Sequence, residues 1–198
     1  MNKKTFAFAV IAAIAISLGA IFVIAHEGDS NGDVISSGMN FKVYDITKNG
    51  QPEYRYEIYN KNGKIVKDET ILRVNPNITY ISDDTLLSIS IGAGTGTFLA
   101  QYYDINRDLF SEMFESPALV AYGDVVHMIL SDGFLMLVIR DIFDESKYRE
   151  EFELDFSPVA NPADALISVE FLDEDTLMIS YLSGASYDEQ TTILQLNC

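Results

Sequence analysis

The stretch that decides the fold is "YRYEIYNKNGKIVKDETI", residues 54–71. Tyrosine and isoleucine alternate with charged residues from Tyr54 to Tyr59, which is the period of a β-strand with one buried face. Asn62-Gly63 follows with the sequence of a type I′ turn, and Lys64 to Ile71 returns as the partner strand. The stretch therefore predicts a β-hairpin.

The same rhythm of short apolar runs and turn residues continues along the chain, which predicts an all-β protein. Asp132-Gly133 has the sequence of a second tight turn. Further strands are expected at Ile78–Ser82, Leu86–Ile91, Leu119–Tyr122, Val125–Leu130, Phe134–Phe143, Phe152–Phe156, Leu166–Leu172, Leu177–Leu182 and Thr191–Leu196.

Parts of the sequence repeat one another. "ISDDTLLSISIGAG" from Ile81 matches "LDEDTLMISYLSGA" from Leu172 in its acidic turn, Thr-Leu pair and alternating strand, and "GDVVHMILSDGF" from Gly123 shares the turn and strand. Likewise, residues 98–105 resemble residues 134–142. A spacing of about 40 to 50 residues is typical of propeller blades, which predicts a small propeller-like array of hairpin repeats with about four units. A β-sandwich is the alternative, because its hairpins also resemble one another.

The N-terminus indicates export. Lys3 and Lys4 precede an uncharged run from Thr5 to Ala25, which as a helix would span about 31 Å, close to the ~30 Å hydrocarbon core of a membrane. This segment, residues 1–25, is interpreted as an uncleaved signal anchor or, given the small-residue spacing of Val23-Ile24-Ala25, a cleaved signal peptide. Both place the remainder outside the cytoplasm, membrane-anchored or secreted. Residues 26–39, rich in Gly, Ser and Asp, are expected to be a flexible spacer, followed by a β domain at 40–198.

Charge and cysteine content narrow the class of partner. The net charge of −17 argues against nucleic acid, which is bound through clusters of Lys and Arg. Cys198 is the sole cysteine, so an intrachain disulfide is excluded. No cysteine stands at the end of the apolar segment, where a lipid would be attached. The expected partner is a protein, a peptide or a component of the cell envelope.

Two late stretches, "RDIFDESKYREEFELDFSPVANP" and "VEFLDEDTLMISYLSGASYDE", resemble those of small uncharacterised secreted or membrane-anchored bacterial β-rich proteins. The resemblance covers roughly the last two thirds of the chain. It implies export and a β-rich domain, and it brings no activity and no site residues.

The glycine loop of "ISIGAGTGTFLAQ", with Gly92, Gly94 and Gly96, is similar in spacing to a dinucleotide-binding loop. The sixth position of that pattern, which should be glycine, is Thr97. A β-hairpin turn or loop is therefore favoured over a nucleotide site. A structural helix is the remaining alternative, because the apolar residues of 98–114 follow helical spacing.

No catalytic, cofactor-binding or metal-binding residue is assigned from the sequence. His127 is expected to be a half-buried structural residue in the middle of a strand. The acidic clusters are expected at turns, which favour aspartate, and calcium binding is the alternative. These clusters are Asp83-Asp84, Asp141 with Asp144 and Glu145, and Asp173-Glu174-Asp175.

The sequence thus predicts a non-enzymatic extracytoplasmic binding domain that uses exposed aromatic strands such as Tyr54 to Tyr59. One alternative is a hydrolase that cleaves glycans with a pair of carboxylates, and nothing in the sequence selects the pair. The other alternative is a calcium-dependent adhesion module.

Overall fold

The computed structural model describes residues 32–82, 84–94 and 96–197, and the predicted apolar segment Thr5–Ala25 lies outside them. The described residues form fifteen strands and one short 3₁₀ helix, arranged in four antiparallel sheets. The prediction of an all-β protein is confirmed. Within the described ranges, no helix has the length and apolarity that crossing a membrane would require.

In every sheet the strands follow one another in chain order, so each sheet is a meander of hairpins. Sheet 1 contains β1 (Asp33–Ser37), β2 (Phe41–Asp45), β3 (Glu53–Tyr59) and β4 (Ile65–Leu72). Sheet 2 contains β5 (Asn77–Ile81), β6 (Leu86–Gly94), β7 (Thr97–Asp104) and β8 (Leu109–Glu115). Sheet 3 contains β9 (Leu119–Ala121), β10 (Asp124–Ser131), β11 (Phe134–Asp141) and β12 (Arg149–Phe152). The 3₁₀ helix Pro162–Ala165 leads into sheet 4, which contains β13 (Leu166–Asp173), β14 (Thr176–Ser183) and β15 (Asp188–Gln195).

The sequence repeats fall on equivalent strands. The three matching segments that begin at Ile81, Gly123 and Leu172 place their alternating parts on β6, β10 and β14, the second strands of sheets 2, 3 and 4. The second pair of similar segments, residues 98–105 and 134–142, covers the third strands β7 and β11. In sheets 2 to 4, each matching segment therefore lies within one sheet.

Three apolar clusters join the sheets pairwise, each drawing its buried side chains from two consecutive sheets. The first, between sheets 1 and 2, includes Val43, Ile58, Leu87 and Tyr103. The second, between sheets 2 and 3, includes Tyr102, Phe114, Val125 and Ile142. The third, between sheets 3 and 4, includes Leu137, Ile139, Leu177 and Ile179. The sheets thus pack face to face in the order in which the chain builds them.

The hairpin β3–β4 forms as predicted, but its turn type differs. Asn62 is not left-handed, and Gly63 takes the positive φ of 75° while its N–H donates to the Asn60 carbonyl at 2.9 Å. This is a type I turn followed by a left-handed glycine, with a register shift at Ile58/Tyr59. The Asn60 side chain stabilises it by accepting from the Lys64 N–H at 3.1 Å.

Left-handed pairs typical of type I′ turns occur elsewhere, at Asn49-Gly50, Tyr122-Gly123 and Asp132-Gly133. The predicted tight turn at Asp132-Gly133 is therefore confirmed, and it joins β10 to β11. Asn49-Gly50, which joins β2 to β3, was not predicted.

Two predicted boundaries are wrong. The β domain begins ahead of Asn40, because β1 lies within the predicted spacer 26–39 and pairs with β2. Phe152–Phe156 was predicted as a strand, whereas β12 ends at Phe152 because its ladder with β11 runs from Arg149 to Phe152. Beyond that ladder, Phe156 makes a single bridge to Ser183.

Candidate binding groove between sheets 2 and 3

A groove of about 380 Å³ lies between β8 of sheet 2 and β10 of sheet 3. Residues 112–116 form one wall and residues 127–130 form the other. Residues 161–163, which precede sheet 4, close one end. Three separate parts of the chain therefore build the groove.

Hydrogen bonds fix the closing segment in place. The Asn161 side chain caps the 3₁₀ helix by accepting from the Ala163 N–H at 3.2 Å, and its Nδ2 donates to the Gly96 carbonyl at 3.4 Å. Pro162 restricts φ at the start of the helix, and Ala165 is fully buried at its end. The connection from sheet 3 to sheet 4 is thus held against the β6–β7 turn.

The groove is lined by exposed apolar and acidic residues and by an aromatic pair. Met113 of β8 and Leu130 of β10 are 46% and 66% exposed, and Glu112 and Glu115 of β8 also line the groove. Phe114 is buried, and its ring meets the His127 ring edge to face, with centroids 5.4 Å apart.

A buried cation lies against Phe114. The Arg140 side chain is 6% exposed, and its Cζ lies 4.7 Å from the centroid of the Phe114 ring. Its Nη1 donates to Glu145 at 2.8 Å and its Nη2 donates to Glu112. The guanidinium is therefore neutralised by two carboxylates and packs against an aromatic face. Hydrogen bonds from Arg140 and Arg149 hold the pKa of Glu145 below its ordinary value.

His127 is half-buried in the middle of β10, as its sequence context predicts. Its Nε2 is buried and has no hydrogen-bond partner within the described ranges. Burial, with the positive charges of Arg140 and Arg149, lowers the pKa of His127 to about 4. The imidazole is therefore neutral at pH 7.

Two aspartates of the predicted acidic clusters, Asp141 and Asp173, accept backbone hydrogen bonds in their turns. Asp141 Oδ1 accepts from the Phe143 and Asp144 N–H groups, both at 2.8 Å. Asp173 Oδ1 accepts from the Asp175 N–H at 3.1 Å. Asp83 lies outside the described residues. Across the residues that are described, no three His, Cys, Asp or Glu side chains lie together in a way that could hold a metal ion.

One carboxyl group stands apart from this pattern. Asp124 faces Asp141 across β10 and β11, and burial, followed by the charges of Asp141 and Glu174, raises the pKa of Asp124 to about 6. In the turn before Asp124, the Tyr122 ring packs edge to face on Phe171 of β13, with centroids 5.5 Å apart. The sequence did not single out Asp124, since its environment depends on strand pairing.

The glycine loop is a hairpin turn, as predicted. Gly94 and Gly96 have positive φ, and β6 pairs with β7 on either side of the loop. A strand follows the loop, so there is no helix N-terminus to hold a phosphate there. The alternative of a helix over residues 98–114 is wrong. Tyr102 and Tyr103 of β7 enter different clusters, and a strand with both faces buried shows continuous apolarity that can resemble a helical pattern.

The expected exposed aromatic strand is largely turned inward. Tyr56 is fully buried and donates to Glu69 at 2.6 Å, while the Tyr59 hydroxyl donates to the buried Glu57. The groove was missed at the sequence level. The one signal for it is Arg140, a lone cation in the apolar run Phe134–Phe143.

A scan of the sequence against known protein families gives no matching family, and a search of curated proteins gives no similar sequence. Function is therefore inferred from the chain's own geometry.

Proposed function

We propose that this chain is a non-enzymatic extracytoplasmic binding domain, anchored through residues 5–25 or secreted. Its groove receives an extended segment of a protein, peptide or envelope partner that carries an apolar side chain next to a basic one. The observation that carries the proposal is that two exposed apolar residues, Met113 and Leu130, and two acidic residues, Glu112 and Glu115, line one groove of about 380 Å³.

The chemistry of these lining residues supports this class of ligand. Burying an apolar side chain of the partner against Leu130 removes apolar surface from water on both sides, at about 25 cal/mol per Å². Glu112 and Glu115 favour a neighbouring cation, and the net charge of −17 raises the local concentration of basic partners.

We further propose that the scaffold is a propeller-like array rather than a sandwich. A sandwich buries one core between two sheets, whereas here three clusters each join two consecutive sheets. Matching repeats on equivalent strands of successive sheets also favour blades.

Binding is tested with a fluorescent eight-residue peptide that alternates lysine and leucine, and with its counterpart in which glutamate replaces lysine. The groove variant is Leu130→Asp. The matched control is Leu72→Asp on β4, because Leu72 is 67% exposed, nearly the same as Leu130, and lies outside the groove.

We expect the lysine peptide to bind the wild type and the Leu72→Asp variant alike, and to bind the Leu130→Asp variant about tenfold or more weakly, since a buried leucine contributes about 1.5–3 kcal/mol. The glutamate peptide should not bind. Equal affinity of the lysine peptide for all three proteins would show non-specific attraction to an acidic surface and would reject the groove as the site.

A glycan hydrolase is a second candidate, favoured by one observation. Asp124 has the raised pKa that a general acid needs, and it faces Asp141 near an aromatic pair. Fluorogenic oligosaccharides test this candidate. Hydrolysis that is lost in Asp124→Asn and kept in Asp132→Asn, a conservative change in a turn, would support it, and a wild type without hydrolysis would reject it.

A further inference from the structure

Sheet 4 is one strand short of its neighbours. Sheets 1 to 3 have four strands each, and sheet 4 has three, with β15 at its outer edge. β15 pairs with β14 at eight consecutive positions without a register shift. Among the described residues, no strand pairs with the other side of β15.

The other edge strands carry features that discourage pairing with further chains. The ladders of β1, β4, β8 and β13 contain register shifts, while β5, β9 and β12 have five, three and four residues. Bulges and short length are the usual protection of a sheet edge. β15, with the sequence "DEQTTILQ", contains no proline or lysine and is the one long edge in the described ranges with an unbroken ladder.

Alternation along the ladder shows which backbone groups of β15 point away from β14. The N–H of Leu196 donates to the Asp175 carbonyl at 2.8 Å, so Leu196 and every second residue before it face β14. The backbone N–H and C=O groups that face away belong to Glu189, Thr191, Ile193 and Gln195. These groups can form a ladder with one more strand.

We propose that β15 pairs antiparallel with β15 of a second copy of this chain, around a two-fold axis that passes at Thr192. Thr191 then lies opposite Ile193 of the second copy, and Glu189 lies opposite Gln195. All four outward-facing residues of each copy are paired. Moving the axis to Thr191 would require Tyr187, which is left-handed with φ 59°, to extend the ladder.

The charge pattern of the strand favours this self-pairing. In the register centred on Thr192, the carboxylate of Glu189 meets an amide, and Asp188 lies opposite Leu196. Like charges therefore do not meet directly across the new ladder, where they would destabilise it. Ile193, which is 60% exposed in one copy, packs beside Thr191 of the other. Because each copy carries a charge of −17, the dimer should strengthen with ionic strength.

Cysteine crosslinking of the full chain in a mild non-ionic detergent tests the register, in a Cys198→Ser background. In the proposed dimer the two Thr192 Cα atoms are a non-hydrogen-bonded pair, about 4.5 Å apart, which a disulfide can bridge. The two Thr191 residues are diagonal neighbours at about 7–8 Å, beyond that reach. We expect Thr192→Cys to give a disulfide-linked dimer on oxidation and Thr191→Cys not to do so. Absent or equal crosslinking of the two variants overturns the proposal.

Proline substitutions at the same two threonines distinguish an effect on dimerisation from an effect on the stability of the fold. Thr191→Pro removes an outward N–H and one exposed hydrogen bond to Ser180; it should lower the melting temperature less than Thr192→Pro does, while weakening dimerisation about tenfold or more in sedimentation. Thr192→Pro removes an N–H of the β14–β15 ladder and should lower the melting temperature. If Thr191→Pro leaves the mass of the wild type unchanged, whether that mass is monomeric or dimeric, β15 is not the interface. A monomeric wild type at high salt points to a different strand as the occupant of this edge and also refutes the proposal.

Discussion

Lowering the pH from 8 to 5 acts on folding through two groups of β10 that respond in opposite directions. The first is His127, whose pKa falls from 6.5 to about 4 in the folded chain, mainly through burial. The folded state therefore binds fewer protons than the unfolded state between these values. The stability that His127 contributes is fully present above about pH 6.5 and is lost as the pH falls toward 4, which amounts to about 2 kcal/mol at pH 5.

The second group is Asp124, whose pKa rises from 3.8 to about 6, again mainly through burial. The folded state here binds more protons than the unfolded state, so folding becomes more favourable as the pH falls below about 6. With an allowance for solvent screening, the gain is about 1 kcal/mol at pH 5. In the wild type the two contributions oppose each other.

Two variants separate them. His127→Gln removes the group that lowers the free energy of unfolding at low pH, and Asp124→Asn removes the group that raises it. We expect the free energy of unfolding of Asp124→Asn to fall by about 3 kcal/mol more than that of His127→Gln between pH 8 and pH 5. Urea unfolding of residues 32–198 at pH 5, 6, 7 and 8 measures this, with each variant compared with itself at pH 8. Parallel pH profiles of the two variants would refute the assignment of the opposing effects to these two groups.

Three further outcomes are expected. Arg140→Met should keep the free energy of unfolding within about 1 kcal/mol of wild type, because the methionine fills the space against Phe114 and the carboxylates of Glu112 and Glu145 reach solvent. Arg140→Ala should lower the free energy of unfolding by about 2–4 kcal/mol, because it leaves a cavity. Equal losses for the two variants in urea unfolding would contradict this. A fragment of residues 40–198 should melt below one of residues 32–198, because it lacks β1, and identical calorimetric midpoints would show that β1 adds nothing. The melting temperature should rise with ionic strength, equally for calcium and magnesium salts, whereas a calcium-specific gain would indicate a metal site.

The hairpins could be predicted because their signals are local. Alternation and a turn pair such as Asp132-Gly133 specify two strands within a short stretch. β7 was not predicted, because sheet 2 lies between sheets 1 and 3 and both faces of β7 are buried. β1 was missed for the opposite reason, since all five of its residues are exposed and its composition is that of a spacer. In both cases the neighbouring strands, rather than the local pattern, decide the structure.

The groove could not be predicted from the sequence. It depends on which residue occupies one position in the third strand of each repeat, and this position is identified only when the repeats are aligned on the sheets. The pairs Asp104-Ile105 and Asp141-Ile142 match in the repeats, which aligns Tyr103 of β7 with Arg140 of β11. Each of these two side chains faces the preceding sheet, as do Ile105 and Ile142.

In sheet 2 this position holds a fully buried tyrosine, whose ring packs on Phe110 at 4.5 Å between centroids. In sheet 3 it holds a guanidinium that packs on Phe114 and must be neutralised. Its carboxylate partners are Glu112 of β8, which lines the groove, and Glu145 of the β11–β12 turn. The same fold position therefore holds a buried tyrosine within the cluster of sheets 1 and 2, and a buried cation that contacts Phe114 across sheets 2 and 3. An Arg140→Tyr variant should make the second junction resemble the first, and the lysine peptide should then lose affinity if the buried cation gives the groove its shape.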